Sequence, residues 1–185
     1  MRIISGKARG TKLYTLEGEN TRPTLDRVRE ALFNIIQSEI SESTVLDLFS
    51  GSGAVGLEFA SRGANKVYMC DNSKKATEII NKNIEKTHMK EKVELYNCDF
   101  KLAISKIKEE KIDIVYLDPP YKTNYIKQAL ENLLELKSIN EETLIIAETD
   151  ELEKVLEDIK DLNMDITDQR KYGRANIIFL KKGLK

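Results

Sequence analysis

Residues 44–56 decide the fold of this chain: Thr44-Val-Leu-Asp47-Leu-Phe-Ser-Gly51-Ser-Gly53-Ala-Val-Gly56. A strand pattern over 44–48 leads directly into the spacing G-x-G-x-x-G, and a helical pattern begins at residue 54. Glycines at such a junction permit a tight turn and a close approach of the backbone to a ligand. The stretch therefore predicts the first strand, loop and helix of an open α/β sheet that binds an adenosine-containing cofactor.

Strand and helix patterns alternate along the rest of the chain, which is typical of a mostly parallel sheet with helices on both faces. Near the carboxyl end, Tyr172-Gly173 predicts a hairpin, so one strand must run antiparallel to its neighbour. The sequence predicts a Rossmann-like α/β fold with a seven-stranded, mostly parallel sheet and a C-terminal antiparallel hairpin. The predicted strands are 44–48, 66–70, 93–97, 112–117, 143–147, 164–170 and 175–181, and the predicted helices are 54–61, 73–87, 100–109, 124–136 and 151–160.

A small extension precedes this alternation. Residues 1–5 and 11–16 have the pattern of a hairpin around two glycines. Thr24, after a proline, is a candidate N-cap for a helix over about 25–39 with one apolar face. We therefore divide the chain into an extension over 1–40, which carries a basic hairpin and a helix, and a main domain over 41–185, the two forming a single structural unit.

Composition limits the class of protein. The chain has 185 residues, of which 41% are hydrophobic and 33% charged, as in an ordinary globular domain. No apolar stretch approaches the roughly 18 residues of a membrane span, and the amino terminus does not resemble a signal peptide. With two cysteines and one histidine we expect a cytoplasmic protein, a monomer by default, with no metal site and no membrane contact.

Basic side chains are concentrated near the two termini, although the net charge is only −1. Residues 1–12 and 169–185 hold 10 of the 30 basic side chains and no acid, whereas the other 156 residues hold 20 basic and 31 acidic side chains, a net of −11. This asymmetry indicates a polyanionic partner, with solvated termini as the alternative. The candidate contacts in the amino-terminal arm are Arg2, Lys7, Arg9 and Lys12.

Acidic residues lie at or just beyond the carboxyl ends of the first three predicted strands. Asp71 comes 20 residues after Gly51 and can accept both hydroxyls of a ribose, while Asp99 can contact a nucleobase edge. Asp47 would repel a pyrophosphate but attract an ammonium, which favours S-adenosylmethionine over a dinucleotide. The alternatives are a turn cap for Asp47 and a helix cap for Asp99. The predicted cofactor-binding residues are Asp47, Phe49, Gly51, Gly53, Asp71, Asn72, Asp99, Phe100 and Asp118, with Arg22 and Thr24 closing over the cofactor.

Asp118-Pro119-Pro120-Tyr121 follows the apolar strand 112–117. Two prolines have no N–H to donate to a sheet, so the chain must leave the sheet at Asp118. It then presents a carboxylate, a carbonyl and an aromatic ring at the carboxyl end of a strand, where ligands of open α/β sheets bind. The carboxylate and carbonyl can accept from one NH2 group, and the ring can stack on a base.

These motifs together resemble a known group of proteins. Asp47-x-Phe-x-Gly-x-Gly, Asp71, Asp99 and Asp118-Pro-Pro-Tyr are similar to class I S-adenosylmethionine-dependent amino methyltransferases. Arg22-Pro-Thr-Leu-Asp-Arg-Val-Arg-Glu30 resembles, more narrowly, the RsmD family of bacterial 16S ribosomal RNA guanine-N2 methyltransferases, and the resemblance extends over essentially the whole chain. Asp71 stands where this family usually has Glu, and Arg174 and Asn176 also depart from its pattern.

The resemblance implies a reaction and a partner. Asp118 and the Pro119 carbonyl would orient the guanine N2 amine, Tyr121 would stack on the base, and Asp118, Pro119, Pro120 and Tyr121 would form the catalytic motif. The implied substrate is 16S rRNA, within a small-subunit particle that contains ribosomal proteins. Three alternatives remain: the same chemistry on adenine N6 or on a protein glutamine amide, a nicotinamide-dependent oxidoreductase, and an RNA-binding module without catalysis.

Overall fold

A computed structural model of the chain describes residues 1–16, 23–108, 110–120, 122–136 and 138–184, except for the side chains of residues 23–25. Its centre is a seven-stranded sheet with the order β3-β2-β1-β4-β5-β7-β6. The first five strands in chain order are parallel, and β7 runs antiparallel to both β5 and β6. This confirms the predicted fold. The strands are β1 (Thr44–Asp47), β2 (Lys66–Asp71), β3 (Val93–Asn97), β4 (Ile114–Leu117), β5 (Leu144–Thr149), β6 (Met164–Tyr172) and β7 (Ala175–Lys182).

Helices cover both faces of the sheet, each over its own apolar core. One core packs Leu32 and Phe33 of α1, Leu57 of α3 and Ile80 of α4 against the sheet. The other core packs residues of α5, α6 and α7 against the opposite face, with Leu130 of α6 fully buried at its centre. The helices are α1 (Pro23–Ile35), α2 (Gln37–Ile40), α3 (Ala54–Ser61), α4 (Lys74–Thr87), α5 (Phe100–Lys106), α6 (Tyr125–Leu134) and α7 (Leu152–Ile159).

The amino-terminal segment forms the predicted hairpin with a short ladder. An isolated antiparallel bridge joins Arg2 and Lys12, and the N–H groups of Ile3 and Leu13 donate to the carbonyls of Thr11 and Met1 at 3.0 and 3.1 Å. The backbone N–H groups of Ile4 and Ser5 bond to the carboxylate of Glu58 on α3, at 2.7 and 2.9 Å. Since these donors are used by a helix of the main domain, they are not available to a strand ladder.

The first helix differs from its prediction. α1 begins at Pro23, so Thr24 lies within its first turn and cannot be the N-cap. Proline is well suited to the first helical position, because its missing N–H would have no partner there. The predicted single helix over 25–39 is interrupted at Ile36, which caps the short helix α2. Within the part of the chain that the structure describes, no helix is both long enough and apolar enough to cross a membrane.

Candidate functional site

The carboxyl ends of the parallel strands open onto one cavity with a volume of about 750 Å³. In the sheet, the chain runs from β1 outward through β2 to β3 on one side. It then crosses back to β4, on the other side of β1, and continues outward to β5. A crevice forms at such a switch point in an open α/β sheet, where ligands bind. Five acidic side chains, each at or just beyond the end of a strand, line the cavity: Asp47, Asp71, Asp99, Asp118 and Glu148.

The glycine loop closes one side of the cavity. Gly53 caps α3 with a φ of 82°, a left-handed conformation that side-chain-bearing residues rarely adopt. The N–H of Gly51 donates to Oδ2 of Asp71 at 2.9 Å, and the N–H of Ser73 donates to Oδ1 at 2.8 Å. Asp71 therefore ties the loop to the end of β2 at the position where it was predicted to meet a ribose.

Asp47, at the end of β1, is the most unusual side chain in the cavity. It is 0% exposed, and neither carboxylate oxygen has a hydrogen-bond partner among the described residues. Burial raises the pKa of Asp47 to about 7, although the nearby Ser50 hydroxyl and Phe49 N–H lower it in part. A buried carboxylate without a partner is costly unless a ligand supplies one. Asp47 therefore fits the ammonium group of a methionyl moiety.

A group of aromatic rings lines the cavity beside Asp99. Phe49 and Phe100 have ring centroids 5.2 Å apart, and Tyr125 lies 5.3 Å from Phe100 and parallel to Phe49 at 6.1 Å. Asp99 caps α5 by accepting the N–H of Lys101 at 2.9 Å. This confirms the helix cap that the sequence offered as the alternative role of Asp99. The cap occupies one oxygen of Asp99, which still lines the cavity beside Phe49 and Phe100. These flat apolar surfaces suit a nucleobase.

Asp118, Pro119 and Pro120 lie at the other side of the cavity, where the chain leaves β4. Within the neighbouring strands β4 and β5, the hydroxyl of Tyr116 donates to Oε2 of Glu148 at 2.7 Å. Burial raises the pKa of Tyr116, and the carboxylates of Glu148 and Asp118 raise it further, so both acids lie close to this ring. The Asp118-Pro-Pro motif and the glycine loop thus face the same space.

The structure brings together most of the predicted site and separates the rest. The predicted cofactor-binding residues Asp47, Phe49, Gly51, Asp71, Asn72, Asp99, Phe100 and Asp118 all line the cavity. By contrast, the four basic residues of the amino-terminal arm are exposed and lie outside it. Arg22, Tyr121 and the side chain of Thr24 lie outside the described residues. The roles of all these residues stay predictions.

The cavity residues that sequence reasoning missed include Arg29, Tyr116, Tyr125 and Glu148. Tyr116 and Glu148 share the strand alternation that points Asp118 into the cavity, so their positions could have been inferred from the register of β4 and β5. Arg29 lies on α1 and follows no strand register; its Nη2 lies 3.1 Å from Oδ1 of Asp26.

Comparison with known proteins places the chain in a family. Residues 1–181 match the family model described as "Conserved hypothetical protein 95". The chain is 33% identical to "Putative rRNA methyltransferase YlbH" of Bacillus subtilis over 98% of this chain and 99% of the relative. It is 37% identical to "Ribosomal RNA small subunit methyltransferase D" of Haemophilus influenzae, over 81% of this chain and 79% of the relative.

A solved structure, "Putative methyltransferase yhhF from Escherichia coli", superposes with a TM-score of 0.81 at 26% identity and covers 100% of this chain and 99% of that one. The fold is therefore that of a class I methyltransferase. The predicted cofactor, S-adenosylmethionine, is confirmed together with the family, and the buried free carboxylate of Asp47 beside the glycine loop suits its methionyl ammonium. Together, the sequence match over nearly the whole chain, the shared fold and this site show that the chain belongs to the RsmD family of methyltransferases.

Proposed function

We propose that this methyltransferase transfers a methyl group from S-adenosylmethionine to the exocyclic N2 amine of a guanine in 16S rRNA of the small ribosomal subunit. The observation that carries the proposal is the position of Asp118 and Pro119, which share one cavity with the glycine loop and Asp47. A cofactor site and an amine-orienting motif in one cavity are what direct methyl transfer to an amine requires.

The chain's own residues orient the amine and exclude water. When bound, S-adenosylmethionine supplies a methyl group that its sulfonium already activates for attack. The carboxylate of Asp118 and the carbonyl of Pro119 accept hydrogen bonds from the amine and aim its nitrogen lone pair. Asp118 then stabilises the positive charge that develops on this nitrogen. The nitrogen becomes more acidic as it gains charge, so no strong base is required to remove its proton. Tyr121 stacks on the extruded base.

The amino-terminal arm is proposed to hold the RNA. Arg2, Lys7, Arg9 and Lys12 are all exposed on this arm, and cationic side chains that neutralise phosphates give affinity that falls with salt. We therefore assign residues 1–40 to an RNA-contacting extension and 41–185 to the catalytic domain. A small-subunit particle, with its ribosomal proteins, is the proposed form of the substrate, and a cytoplasmic monomer is the proposed form of the enzyme.

Labelled methyl transfer tests the substrate. Small-subunit particles from cells lacking this protein, naked 16S rRNA and DNA are incubated with the enzyme, and the product nucleosides are identified. We expect N2-methylguanosine on particles or rRNA. N6-methyladenosine instead, or labelled protein, would move the assignment to one of the alternative amine substrates, and transfer to none of them would contradict the proposal.

A variant tests the role of Asp118. Asp118→Ala should lower turnover by at least about 100-fold, because it removes an acceptor that stabilises the transition state, while affinity for S-adenosylmethionine changes little. Asp150→Ala is a matched control, since Asp150 is an exposed acid beyond the neighbouring strand β5. Equal turnover by Asp118→Ala and the wild type would exclude the proposed role.

RNA affinity tests the arm. Lys7→Ala combined with Arg9→Ala should weaken binding at low salt and reduce the slope of log affinity against log salt by about 0.7–0.9 for each phosphate contact removed. Lys82→Ala, at an exposed position of α4, is the control. An unchanged slope in the double variant would show that the arm does not contact phosphates.

A further inference from the structure

Helix α1 places a guanidinium group in the wall of the cofactor cavity. Arg29 is only 6% exposed and lines the cavity together with Val28 and Leu32 of the same helix. Its Nη2 donates to the carbonyl of Arg2 at 2.5 Å and to Asp26 at 3.1 Å. Its Nε and Nη1 are buried without a hydrogen-bond partner among the described residues. Two of the donor groups of Arg29 are therefore left open within the cavity wall.

This arrangement is incomplete as a structural ion pair. Asp26 is 41% exposed and contacts only one nitrogen of Arg29, so it compensates the buried charge weakly. The buried Glu58 raises the pKa of Arg29 more than Asp26 does, but its ion pair is with Arg62. Burial lowers the pKa of Arg29, yet a guanidinium remains charged at neutral pH. A buried charge whose donors lack acceptors is strongly unfavourable. An anion that accepts from one of these donors and balances the charge would reduce this penalty.

Asp47 has the complementary defect in the same cavity. Both of its carboxylate oxygens lack partners, and Asp47 and Arg29 both line the cavity without forming an ion pair with each other. One buried cation and one buried anion are thus held apart in one space, on two different elements. The free amino-acid end of a ligand carries an ammonium and a carboxylate close together, which is the complement of such a pair.

We infer that Arg29 binds the α-carboxylate of the methionyl moiety of S-adenosylmethionine, opposite the ammonium held by Asp47. The inference rests on the proposed cofactor site and extends it to α1, which lies outside the sheet and its loops. The open Nε and Nη1 lie on different edges of the planar guanidinium, so one of them gives the carboxylate a charge-assisted hydrogen bond. Helix α1 therefore forms part of the cofactor site.

Calorimetry with an analogue that lacks only the carboxylate isolates this contact. S-adenosylmethionine and decarboxylated S-adenosylmethionine are titrated into the wild type, Arg29→Met and Arg27→Met. Arg27 is an exposed arginine on the same helix and is the matched control. We expect Arg29→Met to lose about 10- to 100-fold in affinity for S-adenosylmethionine and less than about twofold for the analogue. Arg27→Met should behave as the wild type.

The outcomes separate this inference from a structural role. Equal losses for both ligands would show that Arg29 only supports the fold, and no loss for either would show that it does not meet the carboxylate. A loss of affinity for 16S rRNA with unchanged cofactor binding would mean that Arg29 binds an RNA phosphate, which also overturns the inference. If the wild type bound neither ligand, the cofactor assignment itself would fail.

A second measurement covers the case in which Arg29→Met does not fold, which circular dichroism and urea unfolding would reveal. Wild-type protein is then titrated with S-adenosylmethionine and the decarboxylated analogue alone. We expect the analogue to bind at least about 10-fold more weakly. Equal affinities would overturn the inference without any variant. Arg29→Lys, which keeps the charge but loses the planar guanidinium and its donors, should give an intermediate affinity for S-adenosylmethionine.

Discussion

Two acidic side chains, Glu58 on α3 and Asp47 at the end of β1, are both 0% exposed. Their carboxylates differ completely in hydrogen bonding. Glu58 accepts the N–H groups of Ile4 and Ser5 and the Nε of Arg62, all at 2.7–2.9 Å. Asp47 has no hydrogen-bond partner among the described residues. Buried polar groups with hydrogen-bond partners stabilise a fold, whereas a buried polar group without a partner indicates a candidate ligand-binding site.

This difference in hydrogen bonding separates the region that docks the amino-terminal segment from the cavity that we propose as the cofactor site. Around Glu58 the contacts continue: Ser61 accepts the N–H of Ala8 with its hydroxyl and the N–H of Lys7 with its carbonyl, both at 2.9 Å. Fully buried Asn83 bonds both to the backbone of Tyr14 and to Ser52 of the glycine loop. The segment is thereby fixed beside the cavity that it borders.

Glu58→Ala should give the largest effect, a loss of about 3–5 kcal/mol in the free energy of unfolding. The substitution leaves Arg62, whose side chain is 10% exposed, without its anion, and leaves two backbone N–H groups of the segment without an acceptor. Urea unfolding measures the loss. Glu78→Ala, at an exposed site on α4, should change stability by less than about 0.5 kcal/mol. A loss below about 1 kcal/mol for Glu58→Ala would break the comparison.

Gly6→Ala tests the same docking region through its backbone. Gly6 has a φ of 81°, and an added Cβ would lie 1.9 Å from the carbonyl oxygen of Ser61, so the segment must move away from α3. Gly10 has a φ of 84° but no atom within 4 Å of an added Cβ. Gly10→Ala should therefore cost about 1 kcal/mol for the backbone strain alone, and Gly6→Ala about 2–4 kcal/mol by urea unfolding. Equal losses would show that the contact with Ser61 is not tight.

The satisfied and unsatisfied regions also differ in how far the sequence predicts them. The periodicity of strands and helices and the G-x-G-x-x-G spacing predicted the sheet, and the two prolines after Asp118 predicted where the chain leaves it. These signals are local, because they depend on backbone geometry and on which face is apolar. The acids at the strand ends follow from the same pattern and reach one cavity because parallel strands end at one edge.

The sequence could not predict which polar groups lack partners. Arg27 and Arg29 lie two residues apart in a charged helix, and the sequence alone does not separate the exposed one from the buried one that pairs with Asp26. That Arg29 is buried with open donors depends on how α1 packs against the sheet, which no local pattern encodes. The ladder of the amino-terminal hairpin is short for a similar reason, since the donors of Ile4 and Ser5 are taken by Glu58, 54 and 53 residues away in the chain.

Asp47→Asn should stabilise the protein while it weakens cofactor binding. Burial raises the pKa of Asp47 to about 7 from a usual 3.8. Between these values the folded form binds more protons than the unfolded form, so the wild type loses stability as the pH rises through this window. Without cofactor, Asp47→Asn should be more stable than the wild type by about 1–3 kcal/mol at pH 8, and the gap should narrow towards pH 5.

Thermal unfolding from pH 5 to pH 8 measures this gap, and calorimetry with S-adenosylmethionine measures the affinity that the substitution removes. Asp161→Asn, at an exposed position after α7, is the control and should show no gap at either pH. If Asp47→Asn were no more stable than the wild type at pH 8, Asp47 would not be an unsatisfied charge in the folded protein, and the contrast with Glu58 would be lost.

Tyr116→Phe should give the smallest effect on stability, because it removes a single hydrogen bond. The acid that loses this bond, Glu148, is intermediate between fully bonded Glu58 and unpartnered Asp47. This partly buried acid accepts one hydrogen bond, from the Tyr116 hydroxyl at 2.7 Å. Burial raises the pKa of Glu148, and the hydrogen bond from Tyr116 lowers it in part. Without the hydroxyl, the pKa of Glu148 should rise further, and stability should fall by about 1 kcal/mol at pH 8. The loss should be smaller at low pH, where Glu148 is protonated in the folded form and has less need of a donor.

Carbon-13 NMR of the Glu148 carboxyl against pH would follow this titration directly, with urea unfolding at pH 5 and pH 8 for the free energy. Tyr14→Phe is the control, because the Tyr14 side chain is 49% exposed and its contacts with Asn83 use only backbone atoms. We expect the effect of substitution on the free energy of unfolding to depend on pH most strongly for Asp47 and less strongly for Glu148. This order would mean that the two acids of the cavity differ in how completely their carboxylates are hydrogen-bonded. If Tyr116→Phe left the titration of Glu148 unchanged, the hydrogen bond would not tune this acid, and burial alone would explain its raised pKa.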